Sequence, residues 1–379
     1  MHGTWNYPTA IRFGAGRIAE LPVACDELGI RHPLVITDPG LAKLAPTQAV
    51  REALADRPAV VWAGATPNPR GDDVDAGVLA YREGGHDGVV ALGGGSALDV
   101  AKAVALMVGQ SRPLWDFEDV GDNWSRVDPE GMAPVVAVPT TSGTGSEVGR
   151  ASVIIRPEEK KKAIIFHPKM LPAKVICDPA LTVGLPPHLT AWVGMDALSH
   201  SLEAYCAPGF HPQADGIAAE GIRQVALSLE RAVADGTDLE ARSQMMVASL
   251  MGATAFQKGL GAMHAMAHPV GAVLDAQHGL TNAIFMPYVL QFNEAEVADR
   301  LGRVAGWIGL EPTFTAFLDW VLGLRERLRI PHTAEGLGLT EARCVELAPL
   351  AAVDPSGSTN PVPLTVATLE SLYRSTLSG

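Results

Sequence analysis

The hydrophobic period of the chain changes near its midpoint. Up to about residue 182, short β-branched runs alternate with helical stretches: HPLVITD (32–38), AVVWAG (59–64), GVVALGGG (88–95), PVVAVPTT (134–141), ASVIIRP (151–157) and KVICDP (174–179). Continuous Val/Ile runs separated by helices predict a parallel sheet buried on both faces. After LTVGLPPHL such runs vanish. Ala/Leu/Met-rich segments of 3.6-residue period then predict helices over 189–206, 213–234, 238–257, 261–273, 294–308, 314–328 and 364–377. Pro186 and Pro187 suit a domain edge followed by a helix start. The expected organisation is an α/β, Rossmann-like domain over 1–182 and an all-α domain over 183–379, with no internal repeat or low-complexity tract.

Length supports two domains, because 379 residues exceed the size at which one core keeps growing. A net charge of −13 argues against a nucleic-acid or anionic-membrane partner, since both need a basic surface. Cys25, Cys177, Cys206 and Cys344 are scattered without a C-x-x-C pair, as expected of free buried thiols in a reducing compartment. The N-terminal MHGTWNYPTAIRFG has no apolar h-region or Arg/Ser-rich transit pattern, and no run reaches the ~18 apolar residues of a membrane span. The cytoplasm is the expected location.

Asp196 and His200 lie four apart in MDALSHSLEAY, so a helix projects both from one face about 5 to 6 Å apart. His264 in GLGAMHAMAHPVGA and His278 in DAQHGLTNA would bring two more imidazoles. Three nitrogens and one carboxylate oxygen suit Fe²⁺ or Zn²⁺. His268, one turn after His264, is either a fifth ligand or a neighbour of the bound alcohol, and Pro269 is expected to distort or end its helix there. In the first half, GVVALGGGSALDVAKAVAL places Gly93, Gly94, Gly95 and Ser96 between a strand and a helix. Backbone N–H groups of such a turn can hold a dinucleotide pyrophosphate at the helix N-terminus. Asp99 either compensates the helix dipole or bonds a ribose hydroxyl. Asp38, at the tip of its strand, can accept from both adenosine ribose hydroxyls and repels a 2′-phosphate, favouring NAD over NADP. The hydroxyl-rich PTTSGTGSEVGR (139–150) offers donors to a nicotinamide amide or phosphates, and Lys162 in KKKAIIFHP sits where it can reach a ribose or phosphate.

Together these motifs resemble the iron-containing, group III alcohol dehydrogenase family. The similarity runs through FGAGR (13–17), TPNP (66–69), GGGSALDVAKA, PTTSGTGSEV, CDPALTVGLP (177–186), GMDALSHSLEAY, HAMAHPVGA, HGLTNAIFMP (278–287) and TNP (359–361). It implies the two-domain fold shared with dehydroquinate synthase, with metal ligation by Asp196, His200, His264 and His278. It also implies NAD held by Asp38, Asn68, Gly94, Gly95, Ser96, Asp99, Thr140, Thr141, Thr144 and Lys162. The implied reaction is hydride transfer between a primary alcohol and NAD, at a nicotinamide in the cleft facing the helical domain, with His268 relaying the proton. SGTGSEVGRASVII, KKKAIIFHPKMLPAKVICDP, PGFHPQADGIAAEGI and AFQKGLGAMHAMAHPVG are closer to the 4-hydroxybutyrate dehydrogenase branch. There Arg150 either pairs with a substrate carboxylate, with His167 and Lys169 adding positive potential, or faces solvent or pairs with Glu147. A short-chain alcohol or diol dehydrogenase and a metal-free maleylacetate reductase-like enzyme are the alternatives, and metal content separates the second. Members of the family are commonly dimers or larger, and an edge strand near ASVII or in TWNYPTAIRFG offers a pairing seam.

Overall fold

The structure is a computed structural model that describes residues 8–378. The chain divides into two compact units, one ending at Leu185 and the next starting at Pro186.

The first unit contains β1 (Ala10–Phe13), α1 (Leu21–Glu27), β2 (Pro33–Ile36), α2 (Ala45–Ala53), β3 (Val60–Trp62), α3 (Gly71–Glu83), β4 (Gly88–Gly93), α4 (Gly95–Met107), β5 (Val135–Pro139), β6 (Ala151–Arg156), β7 (Lys161–Phe166) and β8 (Lys174–Cys177). Six strands form a sheet in the order β1-β8-β5-β4-β2-β3, parallel throughout. Every residue of β2, β4 and β5 is buried, as the unbroken apolar runs require. From β2 the chain steps outward to β3, whereas from β4 it steps the other way to β5. The crevice at the C-terminal ends of β2 and β4 is therefore the topological switch point, where such sheets bind ligands.

One expectation is corrected here. ASVIIRP does not join the parallel sheet: β6 pairs antiparallel with β7, and Lys160 turns the hairpin at a positive φ of 49°. At the other edge of β6, Ile155 forms an isolated parallel bridge with Arg70. In TWNYPTAIRFG, residues 4–7 lie outside the described residues, while Ala10–Phe13 form the edge strand β1 on β8.

The second unit is helical: α5 (Pro187–Cys206), α6 (Pro212–Ala234), α7 (Leu239–Ala255), α8 (Ala262–Leu274), α9 (His278–Trp307), α10 (Phe314–Arg327), α11 (Glu341–Ala352) and α12 (Val366–Ser378). Its core joins Met195, Leu198 and Leu202 of α5 to Ile222, Val225 and Leu229 of α6 and to Phe285 and Tyr373. Pro269 does not end α8, which runs on to Leu274, and α9 starts at His278 rather than at 294, with Pro287 inside it. Among the described residues no helix is long and apolar enough to cross a membrane.

Candidate metal centre and nucleotide turn

In the helical unit, α5 presents Asp196 and His200 on adjacent turns, α8 presents His264, and His278 is the first residue of α9. Gly279 makes the last placement possible: a Cβ there would stand 2.3 Å from the Trp192 carbonyl oxygen, so only glycine lets α9 start against α5. One donor atom from each of the four residues lies within 4.8 Å of the others. Asp196 Oδ1 is 3.6 Å from His278 Nε2 and 4.0 Å from His264 Nε2. Four donors about 2.1 Å from one tetrahedral ion stand roughly 3.4 Å apart, so the cluster has the right size for a divalent cation.

The sign of the field fits as well. His264 Nδ1 lies 2.6 Å from Glu203 Oε2, whose other oxygen accepts the Met263 N–H at 2.7 Å. This contact leaves His264 Nε2 as the nitrogen facing the cluster, the usual arrangement of a carboxylate behind a metal-bound imidazole. Burial alone would lower the proton affinity of His264, yet Glu203 and Asp196 raise it above its ordinary value. Buried negative charge thus awaits a cation. Asn282 places Nδ2 2.9 Å from Asp196 Oδ1 and 3.2 Å from both His264 Nε2 and His278 Nε2, while its Oδ1 is buried without a partner. The donors converge on one small polar volume, and N₃O chemistry suits Fe²⁺.

His268 lies outside the four-donor group. Its ring stacks on His278 at 5.5 Å between centroids and stands edge-on to His264. Its Nδ1 is 2.9 Å from Asp354 Oδ2.

In the α/β unit the glycine turn closes on the hydroxyl-rich loop. A Cβ on Gly95 would meet Thr144 at 2.5 Å, and one on Gly94 would meet Thr141 at 3.3 Å. Thr140 is tied in by its N–H to the Gly93 carbonyl at 2.9 Å. No side chain caps α4, so the N–H groups of its first turn, at Gly95 and Ser96, remain for an anion. Asp38 sits across the same turn, its Oδ2 3.7 Å from the Cβ position of Gly93 and its Oδ1 accepting the Leu41 N–H at 2.8 Å. Asp38, Gly93 to Gly95, Thr141 and Thr144 thus line the switch point. Asn68 adopts a left-handed conformation ahead of α3, and Lys162 pairs with Ile155 in the hairpin.

Asp99 is turned to another use. Its Oδ1 accepts the Ser146 hydroxyl at 2.6 Å and its Oδ2 accepts the Val153 N–H at 3.0 Å. It braces the loop through both oxygens. Behind it, buried Lys102 donates to the Ser146 and Ala151 carbonyls. Buried Glu147 is pushed up to about 7 by burial, against the pull of backbone donors and Lys102. Glu147 therefore neighbours Lys102, and among the described residues it forms no ion pair with Arg150. The Arg150 guanidinium lies 5.7 Å from the centre of the Phe166 ring and interacts with Asp119. His167 and Lys169 add little field: burial and Lys169 lower the proton affinity of His167, and Lys169 pairs with Glu130.

Glu203, Asn282, Asp354 and Lys102 were absent from the expectations, and Glu147 entered them only as a partner of Arg150. Glu203 follows His200 by three and Asn282 follows His278 by four, so helical spacing was an available signal for these two. Asp354 is 86 residues from His268, and only the fold brings them together.

Residues 8–179 match the family described as iron-containing alcohol dehydrogenase, and residues 190–377 match the C-terminal region of the Fe-containing alcohol dehydrogenase family. The chain is 39% identical over 365 residues to a 4-hydroxybutyrate dehydrogenase of Cupriavidus necator, covering 94% of each. The crystal structure of a 1,3-propanediol oxidoreductase superposes with a TM-score of 0.93 at 31% identity, over 99% of this chain and 100% of that one. A sulfoacetaldehyde reductase from Bifidobacterium kashiwanohense, solved with NAD⁺, gives 0.89 at 31% identity, over 100% of this chain and 99% of that one.

Proposed function

Because the chain belongs to the iron-containing alcohol dehydrogenase family, an NAD-linked class of oxidoreductases acting on CH–OH groups, we propose that its substrate is an ω-hydroxy acid such as 4-hydroxybutyrate, exchanged with the corresponding aldehyde. The observation that carries the metal-dependent reading is the cluster of Asp196, His200, His264 and His278, the first three buried and His278 partly so. When bound, iron supplies a Lewis acid that makes the alcohol proton easier to lose, and NAD accepts the hydride. In this assignment the four residues hold the ion, with Glu203 and Asn282 fixing the ligand orientations. The first turn of α4 and the hydroxyls of Thr141 and Thr144 hold the pyrophosphate, and Asp38 accepts from the adenosine ribose. His268 takes up the released proton at Nε2.

For the substrate, support comes from the 39% identical relative and from Arg150, whose guanidinium lies over the Phe166 ring and is of the chemical type that pairs bidentately with a carboxylate. The interaction with Asp119 favours the simple alcohol or diol reading, because it satisfies part of the charge on Arg150. The two readings separate in one experiment on the iron-reconstituted protein, comparing NAD⁺ reduction with 4-hydroxybutyrate and with 1-butanol in wild type and Arg150→Ala. A charge-assisted pair predicts that the kcat/KM preference for the hydroxy acid falls about 10- to 100-fold in the variant. A preference for butanol that Arg150→Ala leaves unchanged would remove the hydroxy acid while keeping the reaction class.

A further inference from the structure

We infer that Asp354 is the positioning residue of His268, holding the imidazole with its Nδ1–H toward the carboxylate and Nε2 available for proton exchange. This rests on the assignment of His268 to the proton released from the alcohol. The geometry is specific. Asp354 Oδ2 is 2.9 Å from His268 Nδ1, and both side chains are buried at 7% and 8% exposure. An ionised carboxylate accepts and never donates, so the nitrogen facing it carries hydrogen. Despite burial, which raises it, the Asp354 pKa is lowered overall by His268 and Ser356, so the carboxylate is ionised near neutral pH.

Neither partner is loosely held. Asp354 Oδ1 accepts the Ser356 N–H at 2.9 Å, which prevents the carboxylate from turning away. The imidazole is stacked on His278, which limits rotation of the ring. The segment that carries Asp354 also grips α8 near its start: the Thr359 hydroxyl donates to the Leu260 carbonyl at 2.7 Å, and Asn360 Oδ1 accepts the Ala262 N–H at 3.1 Å. From the other side the Tyr373 hydroxyl donates to the Met266 carbonyl at 2.7 Å, two residues before His268. Residues 354–360 therefore fix both the helix and the tautomer of the imidazole it carries. Without Asp354 the imidazole can place its hydrogen on either nitrogen, and only one form offers a bare Nε2.

Two variants separate orientation from folding. Asp354→Asn keeps the shape, and Asp354→Ser keeps an oxygen for the Ser356 N–H while being too short to reach Nδ1. Each is made in wild type and in His268→Ala, reconstituted with iron, and measured for kcat, KM, metal content and Tm. Long-range ¹H–¹⁵N spectra report the His268 tautomer. The expected result is a kcat about 10- to 100-fold lower with KM, metal content and Tm held. His268 should be protonated at Nδ1 in wild type and lose that preference in Asp354→Ser. In the His268→Ala background both substitutions should change kcat less than about twofold. An equal loss in both backgrounds, or loss of metal or Tm, would make Asp354 a structural cap and overturn the inference. Full activity of Asp354→Ser beside a crippled His268→Ala would overturn it while leaving the His268 assignment in place. Full activity of His268→Ala would remove that assignment itself.

Discussion

The helical unit supplies all four of its donors from helices, and Asp196, His200 and His264 are at most 4% exposed. The α/β unit offers its ligand groups from turns after β2, β4 and β5, and much of what it offers is backbone N–H at the start of α4. A side-chain cluster of this kind is all or nothing, because each donor fills a corner that no neighbour can cover. A backbone turn shares its load among several N–H groups that no substitution removes, so side-chain changes there act through shape or charge and produce graded losses. On the proposed assignment, the reaction draws on one brittle site and one tolerant site.

The most severe test of this contrast is Asp196→Ala. It removes the one anionic donor and leaves Asn282 without its 2.9 Å partner. If the Lewis acid contributes about 4 kcal/mol to the transition state, kcat/KM falls by ~10³-fold or more together with bound iron. Metal content by plasma mass spectrometry and NAD⁺ reduction measured on the same sample check both. Retained metal with turnover inside tenfold of wild type would break the claim that the cluster has no spare donor.

The α/β unit also has a buried ionic element, but it lies behind its loop. Glu147 holds its proton more tightly in the folded chain, at a pKa of about 7, than an ordinary carboxyl does. A group raised in this way stabilises the fold fully below its unfolded pKa, and the contribution disappears as pH rises through 7. The loss is up to about 3 kcal/mol, with the opposing pull of Lys102 already contained in the value of about 7. Thermal denaturation of wild type and Glu147→Gln from pH 5 to pH 8 measures it. Wild type should lose stability relative to the variant across that range, and parallel curves would show that Glu147 is ionised throughout.

How much of this was legible in advance follows the same division. The candidate metal cluster was partly readable: the four-residue spacing of Asp196 and His200 is a local property that α5 preserves, and His264 and His278 offered only their residue type. The glycine turn was readable because a buried strand, three glycines and a helix stand in sequence at 88–106. Partners from distant segments were not: Asp354 reaches His268 only through the packing of α8 against residues 354–360. Strand partnership was equally hidden, since the alternating burial of β6 fits a hairpin as well as a sheet edge. The PEEK turn at 157–160 was the available hairpin signal. The start of α9 was hidden as well: the helix begins at His278, runs through Pro287 and continues to Trp307, where the apolar period suggested 294–308.

The smallest effect expected is the one that best measures tolerance. Asp38→Ser removes the charge at the tip of β2 but keeps an oxygen for the Leu41 N–H, so the turn is preserved. The Gly93 to Gly95 backbone is untouched and should still hold the pyrophosphate. What changes is the discrimination at the ribose: two hydroxyl contacts weaken and the repulsion of a 2′-phosphate ends. About 1.4 kcal/mol on each side amounts to roughly a tenfold fall in kcat/KM with NAD and a tenfold rise with NADP. Steady-state kinetics with both cofactors reads these shifts directly, and kcat at saturating NAD should stay close to wild type. A collapse in kcat, on the scale of Asp196→Ala, would show that the turn depends on a single side chain after all, and the contrast between the two units would fail.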